Sequence, residues 1–246
     1  MTRVALVSGA GRGLGEKIAR ALHGAGYRVA VADVGYDQAA AVATALDPRG
    51  ETACAMALDV REKENFVRVR NALIERWGGV DILVNNAGKS QVAAVMDISP
   101  EEFDDVLAIN LRGTFLGCQV LGQHFRERGW GRIVNIASLA GQSGGTATGA
   151  HYAAAKGGVM TLTKVFAREL AAAGVTVNAI SPGPLELPIV YETVAADKIA
   201  AIKQMIPVGH LGSPEYIADM VLTLVKENAS AITGSCVDIN GGLFMR

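Results

Sequence analysis

Short apolar runs alternate along all 246 residues with stretches whose apolar positions recur every three or four residues. The runs Arg3–Ser8, Arg28–Ala32, Ala53–Leu58, Asp81–Val84, Ile133–Ala137, Val175–Ile180 and Ser235–Ile239 are rich in small and β-branched residues. Near-continuous apolarity over so few positions predicts strands buried on both faces. Between them, Leu14, Ile18 and Leu22 sit at helical spacing, and a polar helix is predicted from about Glu62 to Trp77. Ser99-Pro100-Glu101-Glu102 fits a capping box with Pro at the first helical position. It starts a long helix expected to bury Phe103, Val106, Leu107, Leu111 and Phe115, with Asn110 on the same apolar side. A further helix carries Tyr152 and Lys156 and continues its core face through Val159, Leu162 and Phe166. Gly212-Ser213-Pro214-Glu215 caps another, reaching about Lys226.

Strands alternating with helices throughout predict an α/β fold, a doubly wound parallel sheet with helices on both faces. No repeat, charge run or composition shift divides the chain, so residues 1–246 read as one domain. The segment 185–208, with prolines at its borders and a weak helical pattern inside, reads as a substrate flap.

Composition narrows the function by exclusion. A formal net charge of −1, with no basic block, argues against nucleic acid and membrane surfaces as partners. Three scattered cysteines, Cys54, Cys118 and Cys236, show no metal-ligand spacing, so no metal site is expected, and they suit a reducing cytoplasm. The N-terminus enters its first apolar run at once, and glycines interrupt it too early for a signal peptide or spanning helix.

The candidate chemistry follows the strand ends. The first run leads into SGAGRGLG, with Gly9, Gly13 and Gly15 at spacing G-x3-G-x-G and a helix opening at Leu14. Strand, glycine loop and helix N-terminus in this order make an anion site, where bare backbone approaches a pyrophosphate and free N–H groups stabilise its charge. Asp33, closing the second run, stands where a carboxylate would accept hydrogen bonds from an adenosine ribose. Asn85 and Asn86 close the fourth and could tie neighbouring strand ends together.

Ser138 ends the fifth run, and Tyr152 and Lys156, four apart, lie one above the other on a helix face. An ammonium ~4 Å from a phenol, at an effective dielectric of ~20, is worth up to ~4 kcal/mol. That would pull a phenol of pKa ~10 toward ~7, the range a general acid/base needs. Gly9, Asp33, Asp59, Asn86, Ser138 and Pro182 all follow strand ends and should converge on one rim.

The set SGAGRGLG, Asp59-Val60, Asn85-Asn86-Ala87-Gly88, Asn110, Ser138, Tyr152-x3-Lys156 and Asn178-Ala179-Ile180-Ser181-Pro182-Gly183 resembles the short-chain dehydrogenase/reductase family over essentially the whole chain. The resemblance implies Tyr152 as general acid/base and Lys156 lowering its pKa and binding the nicotinamide ribose. It implies Ser138 orienting the substrate oxygen, and Asn110 holding a water in a proton relay behind Lys156. Cofactor contacts are implied for Gly9, Arg12, Gly13, Leu14, Gly15, Asp33, Asp59, Val60, Asn86, Ala87, Gly88, Pro182, Gly183 and Leu185. Leu187 stands where family members often carry Thr.

The expected activity is NAD-dependent interconversion of a small-molecule secondary alcohol and its ketone, in a homotetramer. An NADPH-dependent reductase of 3-oxoacyl thioesters is the nearest alternative, and Arg12 favours it because a loop arginine can meet a 2′-phosphate. A non-catalytic dinucleotide-binding regulatory or scaffold protein is a third, for which Tyr152, Lys156, Ser138 and Asn110 together would have no use.

Overall fold

Seven parallel strands form one sheet in the order β3-β2-β1-β4-β5-β6-β7. The computed structural model describes residues 2–145, 148–193 and 195–245, with the backbone alone at positions 189 and 193. The strands are β1 (Val4–Ser8), β2 (Arg28–Asp33), β3 (Ala53–Ala57), β4 (Ile82–Asn85), β5 (Gly131–Ile136), β6 (Val175–Pro182) and β7 (Cys236–Ile239). Each falls within two residues of its predicted run.

Side chains alternate across this sheet and divide the core in two. Ala5, Val7, Val29 and Val31 point to one face, where α1 (Gly13–Gly24), α2 (Tyr36–Leu46) and α10 (Pro214–Val225) cover them with Ile18, Leu22, Val42 and Val221. Leu6, Ala30, Leu83 and Ile133 point to the other. There α3 (Lys63–Trp77), α5 (Gly113–Arg128) and α7 (Ala150–Leu170) supply Phe66, Leu73, Leu121, Phe125 and Leu170. Strand order reverses direction between β1 and β4, and a ligand cleft is expected outside the carboxyl ends of those two strands.

The long helix after Ser99 is not uniform. It begins as α4 (Pro100–Leu107), widens into one π turn over Ala108–Arg112, and resumes as α5. Val106 is buried, but Phe103 and Phe115 remain 38% and 36% exposed, against expectation. Phe115 lines an open groove with Leu107, Leu111 and Leu162 of α7, which leaves its ring partly uncovered. The segment 185–208 holds two short helices, α8 (Pro188–Thr193) and α9 (Ala196–Met205), and Leu185 bridges Gly212 at its base. Among the described residues, no helix is long and apolar enough to cross a membrane.

A buried polar ladder fixes α7 to the sheet. Asn85 Nδ2 donates to Asn135 Oδ1 at 2.8 Å, and Asn135 Nδ2 donates to Thr163 Oγ1 of α7 at 3.0 Å. Asn135→Ala leaves the buried Asn85 amide only the weak acceptor Cys118 Sγ at 3.4 Å, which costs about 2 kcal/mol. Denaturant unfolding should show a loss of that size, and an unchanged midpoint would mean that the ladder does not hold α7.

Candidate active site

The first half of the site is built by close backbone approach at the ends of β1 and β4. Gly9 (φ +62°) and Gly13 (φ +60°) adopt left-handed conformations, and a Cβ on Gly9 would lie 2.7 Å from Ala87 Cα. A Cβ on Gly15 would overlap the Gly9 carbonyl oxygen. Asn86 Nδ2 holds the turn by donating to the carbonyls of Ser8 (3.0 Å) and Gly9 (2.9 Å). The Ser8 hydroxyl, which sequence reasoning passed over, accepts from the N–H groups of Asn86 and Ala87, both at 3.1 Å.

These contacts open a cleft of about 520 Å³ at the N-terminus of α1. Gly9, Arg12, Gly13, Leu14, Gly15, Asp33, Asp59, Val60, Asn86, Ala87 and Gly88 all line it. Its size is that of a small-molecule site, and its bare glycines at a helix N-terminus suit a pyrophosphate. Pro182, Gly183 and Leu185 do not line this cleft. They stand at the end of β6, where the Pro182 carbonyl accepts from Leu139 N–H at 2.9 Å, beside the loop that follows Ser138.

Asp33 and Arg12 do not pair with each other. The Asp33 carboxylate accepts from the backbone N–H of Gly11 (2.9 Å) and Gly35 (3.1 Å), so it also clamps the glycine loop. Arg12 is exposed and forms no ion pair among the described residues. Asp59 is bound by Arg61, whose Nη2 lies 2.6 Å from Oδ2 and whose hydrogen bonds hold the carboxyl below its ordinary range. Arg61 and Lys89 also line the cleft and share Asp105, at 3.6 and 2.9 Å. Neither cation belongs to the motifs that single out the rest of the site.

The second half lies beyond Gly88, where a Cβ would be 2.8 Å from Asn110 Oδ1 and 3.6 Å from Lys156 Nζ. Gly88 therefore joins the cleft to the Ser138–Tyr152–Lys156 cluster. Ser138 leaves β5 and its Oγ accepts from Ala140 N–H at 3.2 Å, starting the short helix α6 (Ala140–Ser143). The loop tip at Thr146 and Ala147 lies outside the described residues. Lys156 is 3% exposed, and its Nζ donates to the Ile136 carbonyl at 2.7 Å. Burial pushes its pKa down to about 8.

The expected lowering of the Tyr152 pKa toward neutrality is not what the structure gives. Burial raises the phenol, and the hydrogen bond with the Ser138 side chain only partly opposes this. Helix spacing does bring the two side chains together, but the ammonium lies 5.7 Å from the ring centroid and spends its hydrogen bond on Ile136. Desolvation of the phenolate wins over that distant charge.

Asn110 is fully buried in the π turn, with Nδ2 donating to the carbonyls of Lys89 and Val106, both at 2.9 Å. Its Oδ1 has no partner among the described residues and lies on the side of Gly88 and Lys156, so an acceptor stands ready behind the lysine. Two further residues escaped sequence reasoning. Gln142 ties α6 to the far strands, accepting from Ser181 Oγ at 2.9 Å and donating to Asp238 at 2.6 Å. His151, next to Tyr152, is fully buried against Glu102 of α4 at 3.0 Å.

Known proteins are similar to this chain over nearly its whole length. Residues 9–244 match the family model described as enoyl-(acyl carrier protein) reductase. A 3-oxoacyl-[acyl-carrier-protein] reductase of Vibrio cholerae is 38% identical, covering 99% of this chain and 98% of the relative. An acetoacetyl-CoA reductase of Shinella zoogloeoides is 40% identical, covering 99% of each. A solved short-chain type dehydrogenase/reductase from Mycobacterium marinum superposes with a TM-score of 0.92 at 33% identity, covering 99% of this chain and 96% of that one. The match spans nearly the whole chain in sequence and in fold: the chain is an oxidoreductase of the short-chain dehydrogenase/reductase family.

Proposed function

We propose that this chain reduces a ketone to a secondary alcohol, and runs the reverse, with a nicotinamide dinucleotide as its redox partner. The observation that carries the reading is the meeting of Lys156 and Asn110 at Gly88, a residue of the glycine cleft, with the Tyr152 ring centroid 5.7 Å from the Lys156 ammonium. The dinucleotide would lie on Gly9, Gly13 and Gly15 with a ribose at Asp33, and it supplies the hydride. The chain's own residues handle the proton. Ser138 orients the substrate oxygen and Tyr152 donates to it. Burial holds the phenol above its ordinary pKa, so at neutral pH Tyr152 carries the proton that ketone reduction consumes. Lys156 balances the phenolate left behind, and Asn110 Oδ1 is placed to hold a water that returns a proton through the lysine.

The relatives favour one substrate class. Two that match over nearly their full length are named for reducing 3-oxoacyl and acetoacetyl thioesters. A 3-oxoacyl thioester is therefore the first substrate to test, beside a panel of simple ketones and alcohols.

For the cofactor the proposal is NAD. Asp33 beside a 2′-phosphate would set like charges together, at up to ~4 kcal/mol per pair with an effective dielectric of ~20. Two backbone N–H groups already on the carboxylate, and the unpaired Arg12, reduce that repulsion. Even ~1.4 kcal/mol remaining is tenfold in affinity. The chain is further proposed to assemble as a homotetramer, supported by the apolar groove of Leu107, Leu111, Phe115 and Leu162 and by Met245, 79% exposed at the C-terminal end.

Tyr152→Phe should leave at most a few per cent of kcat while dinucleotide affinity, read by fluorescence titration, stays within about twofold. A variant that still turns over would remove Tyr152 from the chemistry. Reductive kcat should stay level through neutral pH and fall as pH rises past about 8, where Lys156 loses its charge. A profile level to pH ~10, near the ordinary lysine value, would contradict that role. The ratio of kcat/KM values should favour NAD at least about tenfold, and Asp33→Ala should erode it through KM. Equal efficiency with both cofactors in the wild type would instead show that Arg12 prevails. Light scattering at micromolar concentration should give four times the 25.6 kDa chain mass, and a monomer would refute the assembly.

A further inference from the structure

The helix that carries Tyr152 begins without a cap of its own. The first N–H groups of any helix lack intrahelical acceptors, and a Ser, Thr, Asp or Asn side chain at the N-cap normally takes one of them. The N-cap of α7 is Gly149, which has no side chain to do so. It has no room for one either, because a Cβ there would overlap the imidazole of His151. The ring occupies that space and supplies a side-chain acceptor: its Nδ1 accepts from the Tyr152 N–H at 2.9 Å, a donor it shares with the Gly149 carbonyl at 3.1 Å.

That bond decides the tautomer. An N–H donates to Nδ1, so Nδ1 holds the lone pair and Nε2 holds the proton. Nε2 points at Glu102 Oε1, 3.0 Å away on α4. Glu102 is itself in an unusual position for its sequence. In a capping box its carboxylate would reach back to the N–H of Ser99. Here only half of the box forms: Ser99 Oγ accepts from Glu102 N–H at 3.2 Å, while the Glu102 side chain turns to His151 instead. The His151 side of this contact is fully buried, while the Glu102 side chain is partly exposed.

We propose that His151 is a positioning residue for Tyr152, its Nδ1 standing in for the absent N-cap side chain of α7 and Glu102 holding the tautomer that makes this possible. The proposal rests on the reading of Tyr152 as proton donor. A proton donor displaced by a fraction of an ångström loses rate without losing binding.

The test compares His151→Ala, His151→Asn and His151→Gln in the full enzyme, with Tyr152→Phe alongside. Asparagine can place a carbonyl oxygen where Nδ1 stands. Glutamine reaches Glu102 but leaves the Tyr152 N–H with the Gly149 carbonyl alone, without the cap-like side-chain acceptor. Alanine and glutamine should lower kcat about tenfold or more with KM nearly unchanged, and asparagine should recover most of it. Glutamine restoring kcat as well as asparagine would overturn the proposal, since a strut between α4 and α7 would then suffice. So would alanine keeping more than half of kcat. If Tyr152→Phe keeps its turnover, the reading of Tyr152 fails instead, and the two failures are distinguishable. A readout independent of activity and of variant folding is the ring nitrogen spectrum of wild-type protein labelled with 15N-histidine, which has four histidines to assign. It should show His151 at neutral pH with a bare Nδ1 and a protonated Nε2; the opposite tautomer would overturn the proposal.

Discussion

A single buried hydrogen bond, from the Lys156 ammonium to the carbonyl of Ile136, organises the half of the protein around Ser138 and Tyr152. It ties α7 to the end of β5, the strand from which Ser138 emerges, and it brings a positive charge into the protein interior. Burial that lowers a lysine from 10.5 to about 8 corresponds to roughly 3 kcal/mol of penalty on the charged form. The sign follows from proton counts: between pH about 8 and 10.5 the unfolded chain holds the lysine proton and the folded one does not, so stability rises with pH there. At neutral pH the folded protein carries the full penalty. The Asn85–Asn135–Thr163 ladder and the apolar packing of Val159, Ala167 and Leu170 offset it by holding α7 in place.

The same economy of contacts recurs at the cleft. Asn86 closes the turn that Gly9 makes possible, and Asp33 holds the glycine loop through Gly11 while still presenting a carboxylate to the cavity. A carboxylate has about four acceptor positions, so two backbone donors leave capacity for a ribose. Structural and ligand-facing roles thus share side chains, which makes the site sensitive to substitutions that would be neutral elsewhere on the surface.

Much of this is legible in the chain because its cause is local. Buried strands announce themselves by short apolar runs, and the residues that follow them converge because parallel strands all end on one rim. Asn110 could be read as a buried amide from its place on an apolar face, although the π turn that aims it could not. The pKa of Tyr152 was misread for a physical reason. Spacing on a helix fixes which side chains are neighbours, but not how deeply they are buried or where an ammonium spends its hydrogen bond. Phe103 and Phe115 were misread similarly: apolar periodicity gives a face, not what covers it. His151 left no trace at all, since its partner Glu102 is 49 residues away and looks committed to its own helix.

The central claim, that the charge of Lys156 serves chemistry at the expense of stability, is tested most directly by thermal unfolding of Lys156→Met at neutral pH. Removing the charge relieves roughly 3 kcal/mol, while leaving the Ile136 carbonyl without its donor costs about 1 kcal/mol. The variant should therefore melt several degrees above the wild type while losing turnover. A lower melting temperature would contradict the account, because it would mean that the buried ammonium stabilises the fold it is argued to strain.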